Sequence, residues 1–130
     1  MNKNNFNEFY RFTKQDKKFA LEVIKLAGKL PNNRVGWTFS DQIIRSSSSV
    51  AANYRATCRA KSDKDFIFKL EIVIEETDET CFWLEMISES GVVDSKSEID
   101  ILHKEGNELL SIFVASVKKV KSRLNNNTQS

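Results

Sequence analysis

The stretch SDQIIRSSSSVAANYRATCRAKSDKDFIFKLEIVIEETDETCFWL, residues 40–84, decides the fold of this chain. It predicts two helices joined by a tight corner at residues 60–63, because Ser62 and Asp65 have the spacing of a helix-starting capping box. The first helix contains four consecutive serines, which are mediocre helix formers. Small side chains let two helices approach closely, so we expect a close helix–helix contact at these serines.

The second helix of this pair carries apolar side chains on more than one face. Its main stripe recurs at spacings of three and four residues. The stripe consists of Phe66, Leu70, Val73, Thr77, Thr80, Cys81, Leu84 and Ile87. Because Ile67, Ile74 and Phe82 widen it, we expect the helix to bury one face in its own chain and another against a second subunit.

Two further amphipathic helices are predicted outside this pair. Before it, residues 14–30 carry an apolar stripe that Pro31 ends, with Thr13 as the N-cap and Asp16 in its capping box. The preceding arm, residues 1–12, is rich in asparagine and aromatic residues. Free tails rarely carry several aromatic rings, so we expect the arm to dock on the body of the protein or on a neighbouring subunit.

The chain is therefore predicted to be all-α, a single antiparallel up-down four-helix-bundle domain that spans residues 1–130. Gly91 should end the third helix, and Ser95 with Glu98 should begin the fourth. The expected helices are residues 14–30, 39–60, 63–90 and 96–124, followed by a frayed polar tail at 125–130.

Composition limits the class of protein. With 40% hydrophobic and 29% charged residues in 130, the chain is neither disordered nor a membrane protein. Residues 1–7 are polar and contain no apolar signal region, so we expect a cytoplasmic protein. Cys58 and Cys81 have no metal-binding spacing and are expected to be buried, reduced thiols.

Charge is unevenly distributed, although the net charge is only +2. Residues 63–90 contain nine carboxylates and two lysines, whereas residues 40–61 contain four basic side chains and one acid. Residues 117–124 contain four basic side chains and no acid. Such segregation is typical both of proteins that attract a polyanion and of proteins whose helices or subunits are joined by ion pairs.

The sequence contains no motif typical of a catalytic site or of a metal site. Serine nucleophiles need a base, and the only histidine, His103, has no partner motif. A di-metal bundle site needs Glu-x-x-His on two helices. We therefore predict no enzyme activity, no cofactor and no metal site. Trp37 and Trp83 could stack on nucleic-acid bases, but core or interface packing is the simpler interpretation.

Within residues 14–120 the sequence resembles a family of bacterial four-helix bundles, the 23S rRNA-intervening sequence proteins. The matching segments are Leu30-Pro31, Gly36-Trp37, residues 42–49, residues 50–53, residues 59–62, Asp65-Phe66-Ile67, Lys69-Leu70, Glu76, Glu79-Thr80 and residues 82–85. The chain departs from the family where Val50-Ala51-Ala52 precede Asn53, and where Tyr54-Arg55 replace a common acidic residue.

The resemblance implies a homopentamer, with five bundles forming a barrel around a central opening. It also extends to the accessory (Avd-like) proteins of diversity-generating retroelements, which are similar in architecture and are thought to bind RNA and a reverse transcriptase. The two-sided apolar helix at residues 63–90 leads independently to the expectation of an oligomer.

Two functions remain open. The first is an oligomeric protein that binds RNA or DNA; its candidate phosphate contacts are Arg45, Arg55, Arg59, Lys61, Lys118, Lys119, Lys121 and Arg123. The second is a structural or protein-interaction module, in which the arginines pair with Glu75, Glu76 and Glu79 across helices. Candidate interface or structural residues are Asn53, Phe66, Lys69, Glu76, Glu79 and Trp83.

Overall fold

A computed structural model describes the backbone of residues 3–129 and the side chains of residues 12–126. The described chain has four helices and no strand, which confirms the predicted all-α class. These are α1 (Lys3–Ala27), α2 (Arg34–Thr57), α3 (Asp63–Ser90) and α4 (Lys96–Gln129).

The helices form an antiparallel bundle with short connections. Each helix packs against the next one in the chain, and α1 also packs against α4 through a smaller contact that closes the bundle. Pairs at both ends show the antiparallel order. Thr13 Oγ1 lies 3.6 Å from Cys58 Sγ, while Lys29 Nζ lies 2.6 Å from Glu98 Oε2.

The first helix starts earlier than the sequence pattern suggests, at Lys3 rather than at position 14. Thr13 therefore lies inside the helix and is not its N-cap. No proline or glycine precedes it, so nothing in the local sequence stops the helix from extending. Phe12 packs against the core. The side chains of residues 1–11 lie outside the described ones, so the docking of the arm's other aromatic rings stays a prediction.

The second helix also starts earlier, at Arg34 rather than at position 39, and ends at Thr57 rather than at position 60. Asn33 caps it: its backbone is extended, and its Oδ1 accepts a hydrogen bond from the Gly36 N–H at 3.0 Å. From the sequence, Pro31, Asn32 and Asn33 are predicted only to end the first helix. In the structure Asn33 also begins the second helix.

The third helix has the bounds that its capping signals indicate. Ser62 Oγ accepts from the Asp65 N–H at 3.1 Å, and Asp65 Oδ2 accepts from the Lys61 N–H at 3.0 Å. At the other end Gly91 has φ 68°, the left-handed conformation that ends many helices. The fourth helix starts at Lys96 as expected but continues to Gln129, through most of the predicted tail.

The α2–α3 contact is built from small polar side chains. Ser46 and Thr80 are both fully buried, and their hydroxyl oxygens lie 2.9 Å apart. Each hydroxyl also contacts a carbonyl oxygen of its own helix, at 3.3 Å for Ser46 and 2.8 Å for Thr80. These buried polar groups are therefore satisfied where the two helices meet closely.

The core lies along one face of every helix. On α3, the buried residues are the same eight that form its predicted main stripe. Gly106 on α4 allows a close approach to two other helices, since a Cβ there would lie 2.7 Å from Cys81 Sγ and 3.4 Å from Phe19 Cζ. Burial raises the pKa of the Cys81 thiol to about 11, and both cysteines are free. Cys58, however, is only half-buried.

Among the residues that the structure describes, none of the helices combines the length and apolar character that crossing a bilayer requires.

Candidate nucleic-acid interface

The antiparallel order brings two predicted basic clusters to the same end of the bundle. One cluster follows α2 at the α2–α3 corner, and the other occupies the last turns of α4. Arg123 Nη2 donates to Asp63 Oδ1 at 3.0 Å, so the end of α4 lies beside the first residue of α3. We call this surface the basic end; its residues are Arg55, Arg59, Lys61, Lys118, Lys119, Lys121 and Arg123.

Five cations of the basic end project into solvent and make no ion pair with a described side chain. They are Arg55, Arg59, Lys61, Lys118 and Lys119. A fully hydrated cation without a fixed partner can contact a phosphate and release the counterions around it. Since its competitor is water rather than a carboxylate, such a contact requires no protein ion pair to break.

The other two cations of the basic end have carboxylate partners on α3. Lys121 Nζ lies 3.0 Å from Glu71 Oε1, and Arg123 pairs with Asp63. About half of each basic side chain remains exposed, at 54% for Lys121 and 41% for Arg123. Exposed ion pairs contribute at most about 1 kcal/mol, so a phosphate can replace these carboxylates at small cost.

Arg45 lies apart from the basic end. It precedes Arg55 by ten residues, or about 15 Å along α2. Its guanidinium pairs with Glu76 Oε2 at 3.1 Å and contacts Glu79 Oε2 on α3. This arginine joins two helices of one chain, which is the arrangement expected for the structural alternative.

Three of the candidate structural residues act within their own helix or in the core. Asn53 Nδ2 donates to the carbonyl oxygen and to Oγ of Ser49, at 2.9 and 2.8 Å. Lys69 Nζ lies 3.1 Å from Asp65 Oδ2, one turn earlier in α3. Phe66 is buried in the core at 3% exposure. None of these contacts identifies a surface for a second subunit.

Trp83 is half-buried at the α2–α3 contact. Its ring centroid lies 5.9 Å from that of Phe39 and 5.0 Å from that of Phe82. Its Nε1 donates to Glu79 Oε2 at 3.3 Å, so the indole and Arg45 share one carboxylate. These contacts agree with the interpretation of Trp83 as a packing residue, since its indole contacts protein groups through both its ring and its N–H.

Asp16 is a buried ionisable residue that sequence reasoning missed. Its side chain is 0% exposed, and neither carboxylate oxygen has a hydrogen-bond partner among the described residues. Burial raises its pKa to about 8. A signal was available, because continuing the Phe19 and Val23 stripe one turn towards the N-terminus reaches Asp16. The spacing of Asp16 from Thr13 also fits a capping box, and this led to the prediction of Asp16 as a capping residue instead of a buried one.

Cys58 lies close enough to Asp16 for the carboxylate charge to act on it. Burial is the main cause that raises the pKa of the Cys58 thiol, and a hydrogen bond with Thr13 opposes it. A negative Asp16 raises the pKa further, whereas Arg59 lowers it. The thiol therefore stays protonated at neutral pH, which favours a packing role over a nucleophilic one.

His103 forms a polar surface cluster at the α3–α4 contact. Its Nε2 lies 3.1 Å from Glu85 Oε2, and its Nδ1 lies 3.2 Å from Asn107 Nδ2. Across the side chains that the structure describes, no three His, Cys, Asp or Glu residues are arranged to hold a metal ion.

The fold and its basic end define a small helical-bundle protein with a localised cationic surface. Residues 8–115 match the model of the 23S rRNA-intervening sequence protein family, and the chain belongs to this family. The family is not a known enzyme family. The relation to the accessory proteins of diversity-generating retroelements stays a prediction.

A solved structure supports the fold. It is the 1.70 Å crystal structure of a protein of unknown function from the S23 ribosomal protein family of Bacteroides thetaiotaomicron VPI-5482. The TM-score is 0.74 and the sequence identity is 28%, and the match covers 82% of this chain and 97% of that one. Comparison with curated proteins gave no match.

Proposed function

We propose that this protein is a non-enzymatic, cytoplasmic homo-oligomer that binds RNA or DNA phosphates through its basic end. The observation that carries the proposal is the convergence on one end of the bundle of five exposed cations, from two separate parts of the chain, that make no ion pair with a described side chain. Phosphate contacts of this kind give affinity without sequence readout, so the proposed ligand is defined by its charged backbone.

The resemblance to the family supports a ring of five subunits. In a cyclic oligomer every subunit has the same orientation relative to the axis, so all basic ends would lie on one rim. Several weak phosphate contacts on one rim act together on a long polyanion, because each bound site raises the effective concentration at the next. Weak individual contacts are therefore sufficient for stable binding by the assembly.

Replacing Arg55 and Arg59 with alanine is expected to weaken nucleic-acid binding and to leave the oligomer intact. Each lost phosphate contact should reduce the slope of log affinity against log salt by about 0.7–0.9. The measurement is fluorescence anisotropy of a short labelled single-stranded RNA, and of a DNA duplex, over a series of salt concentrations. Light scattering on the same samples reports the mass of the oligomer.

A matched control removes the same charge from the opposite end of the bundle. Arg34 and Lys96 are exposed residues that begin α2 and α4, so the Arg34→Ala, Lys96→Ala variant should bind like the wild type. If the Arg55→Ala, Arg59→Ala variant binds both probes as the wild type does at every salt concentration, the basic end is not the binding surface.

The alternative is a structural or protein-interaction module with a protein partner and no nucleic-acid ligand. The ion pairs of Arg45 with Glu76 and Glu79 favour it, because they use a candidate phosphate contact to join α2 and α3. Under this alternative the Arg55→Ala, Arg59→Ala variant should lower the stability of the oligomer, and the wild type should bind neither probe at low salt.

A further inference from the structure

The outer face of α3 exposes large apolar side chains among several carboxylates, with one exposed lysine, Lys64, a turn before Phe68. Phe68 is 66% exposed, Phe82 48% and Met86 37%. They lie on the side of the helix opposite the buried stripe, where exposed large apolar groups are costly unless a partner covers them. Glu75 and Glu89 lie on the same side, are exposed, and make no ion pair with any side chain that the structure describes.

The outer face of α1 exposes apolar side chains surrounded by lysines. Leu21 is 51% exposed and Ile24 39%. Lys17 and Lys25 lie one turn before and after Leu21 on this side, and both are exposed. The two faces therefore combine an apolar centre with charges of opposite sign.

These faces point away from each other on one chain. Both α1 and α3 pack against α2 and against α4, whereas the described backbones of α1 and α3 do not approach each other closely. They occupy opposite corners of the bundle, so neither face can cover the other within one subunit. A second copy of the chain can bring them together.

We propose that the α1 outer face of one subunit docks on the α3 outer face of the next. This inference rests on the oligomer of the proposed function and identifies the contact that builds it. Pairing α3 with α3 would place Glu75 and Glu89 against like charges, and pairing α1 with α1 would do the same for lysines. Charge thus selects the head-to-tail contact over either symmetric one.

A head-to-tail contact has a further geometric consequence. Each subunit keeps one free α1 face and one free α3 face until the assembly closes, so the contact propagates into a ring or a filament. A ring of five closes when each contact rotates the next subunit by about 72°. The contact uses the flanks of the bundle, so the basic end stays uncovered.

Charge reversal on either face alone should break the oligomer into single chains. The α1 variant is Lys17→Glu, Lys25→Glu, and the α3 variant is Glu75→Lys, Glu89→Lys. In each of them, the two faces carry the same sign of charge and repel. Light scattering coupled to size-exclusion chromatography gives the mass, and circular dichroism verifies that each variant keeps its helix content.

The variant that combines all four changes exchanges the charges of the two faces, so it should recover the wild-type mass. A control with Asp41→Lys and Lys104→Glu, exposed sites on α2 and α4, should also keep that mass. Recovery by the combined variant distinguishes the head-to-tail contact from a symmetric one. In a symmetric contact each face meets its own copy, so reversing its charges replaces one like-charge pair with another and leaves the repulsion unchanged.

The contradicting outcomes are separate for the two proposals. If the wild type is a single chain in solution, the oligomer of the proposed function is wrong and this contact is wrong with it. If the wild type is an oligomer but the α1 and α3 variants keep its mass, only the contact is wrong. Single-chain variants that the combined changes fail to restore also overturn the contact.

Discussion

Raising the pH from 4 to 8 should lower the free energy of unfolding of the wild-type protein by roughly 1.4 kcal/mol per pH unit. The cause is Asp16, whose pKa rises from 3.8 to about 8 on burial. Between these values the folded state holds a proton that the unfolded state releases, so stability falls as the pH rises. Above pH 8 both states are ionised and the loss from this group is complete.

The Asp16→Asn variant isolates this effect, because asparagine is similar in shape to a protonated aspartate but cannot ionise. We expect its stability to change little between pH 4 and 8, and to exceed that of the wild type by several kcal/mol at pH 8. Urea denaturation at fixed pH values, followed by circular dichroism, measures both proteins.

Glu105 offers the control for this experiment. Burial, and then the charge of Glu22, raise its pKa, but its side chain is only partly buried. Glu105→Gln should therefore leave most of the pH dependence in place. If the free energies of unfolding of the wild type and of Asp16→Asn change in parallel with pH, Asp16 is not the group responsible for the pH dependence.

Gly36→Ala should cost about 3 kcal/mol or more in the free energy of unfolding. A Cβ at this position would lie 1.8 Å from the Pro31 carbonyl oxygen and 2.8 Å from its carbon. Both are backbone atoms, so no side-chain rotation relieves the overlap. The loop must shift, and the hydrogen bond from the Gly36 N–H to the Asn33 cap would be disturbed with it.

Gly28→Ala is the matched control, since it makes the same chemical change at the start of the same loop. A Cβ at Gly28 would lie 3.4 Å from the Lys25 carbonyl oxygen, and its φ is not positive. Its effect should stay within about 1 kcal/mol. Equal urea midpoints for the two variants would contradict the role given to the Gly36–Pro31 contact.

The predictability of each helix depended on how local its signals are. The bounds and buried face of α3 followed from Ser62, Gly91 and a regular stripe, all of which act within a few residues. The starts of α1 and α2 could not be predicted from such local signals. A Thr13–Asp16 pair fits a capping box and a continuous helix equally well, and only burial against other helices distinguishes them. The close approach of Gly36 to the Pro31 backbone likewise cannot be predicted from the periodicity of apolar residues.

The candidate site shows a similar division. That the α2–α3 corner and the last turns of α4 share one end follows from antiparallel helix order, which could be inferred from the sequence. The partners of Arg45 could not, because α3 carries many carboxylates at similar spacings. Side-chain geometry across two packed helices decides that Glu76 and Glu79, rather than Glu75, face the guanidinium.

The small α1–α4 contact has a consequence for folding. The other three helix–helix contacts join neighbours in the chain and close short loops, which favours fast folding. Closing α1 on α4 must join the two ends of the chain across its whole length, and it places Glu22 near Glu105. We therefore expect this contact to form last and to open first.

Native-state amide hydrogen exchange would measure this opening. Amides of α1 and α4 should exchange through a local opening at low denaturant, while those at the centres of α2 and α3 exchange only by global unfolding. Uniform protection across all four helices would contradict this order. With the expected result, lower protection in α1 and α4, the bundle behaves as a stable helical hairpin, α2–α3, whose two flanking helices can detach without unfolding it.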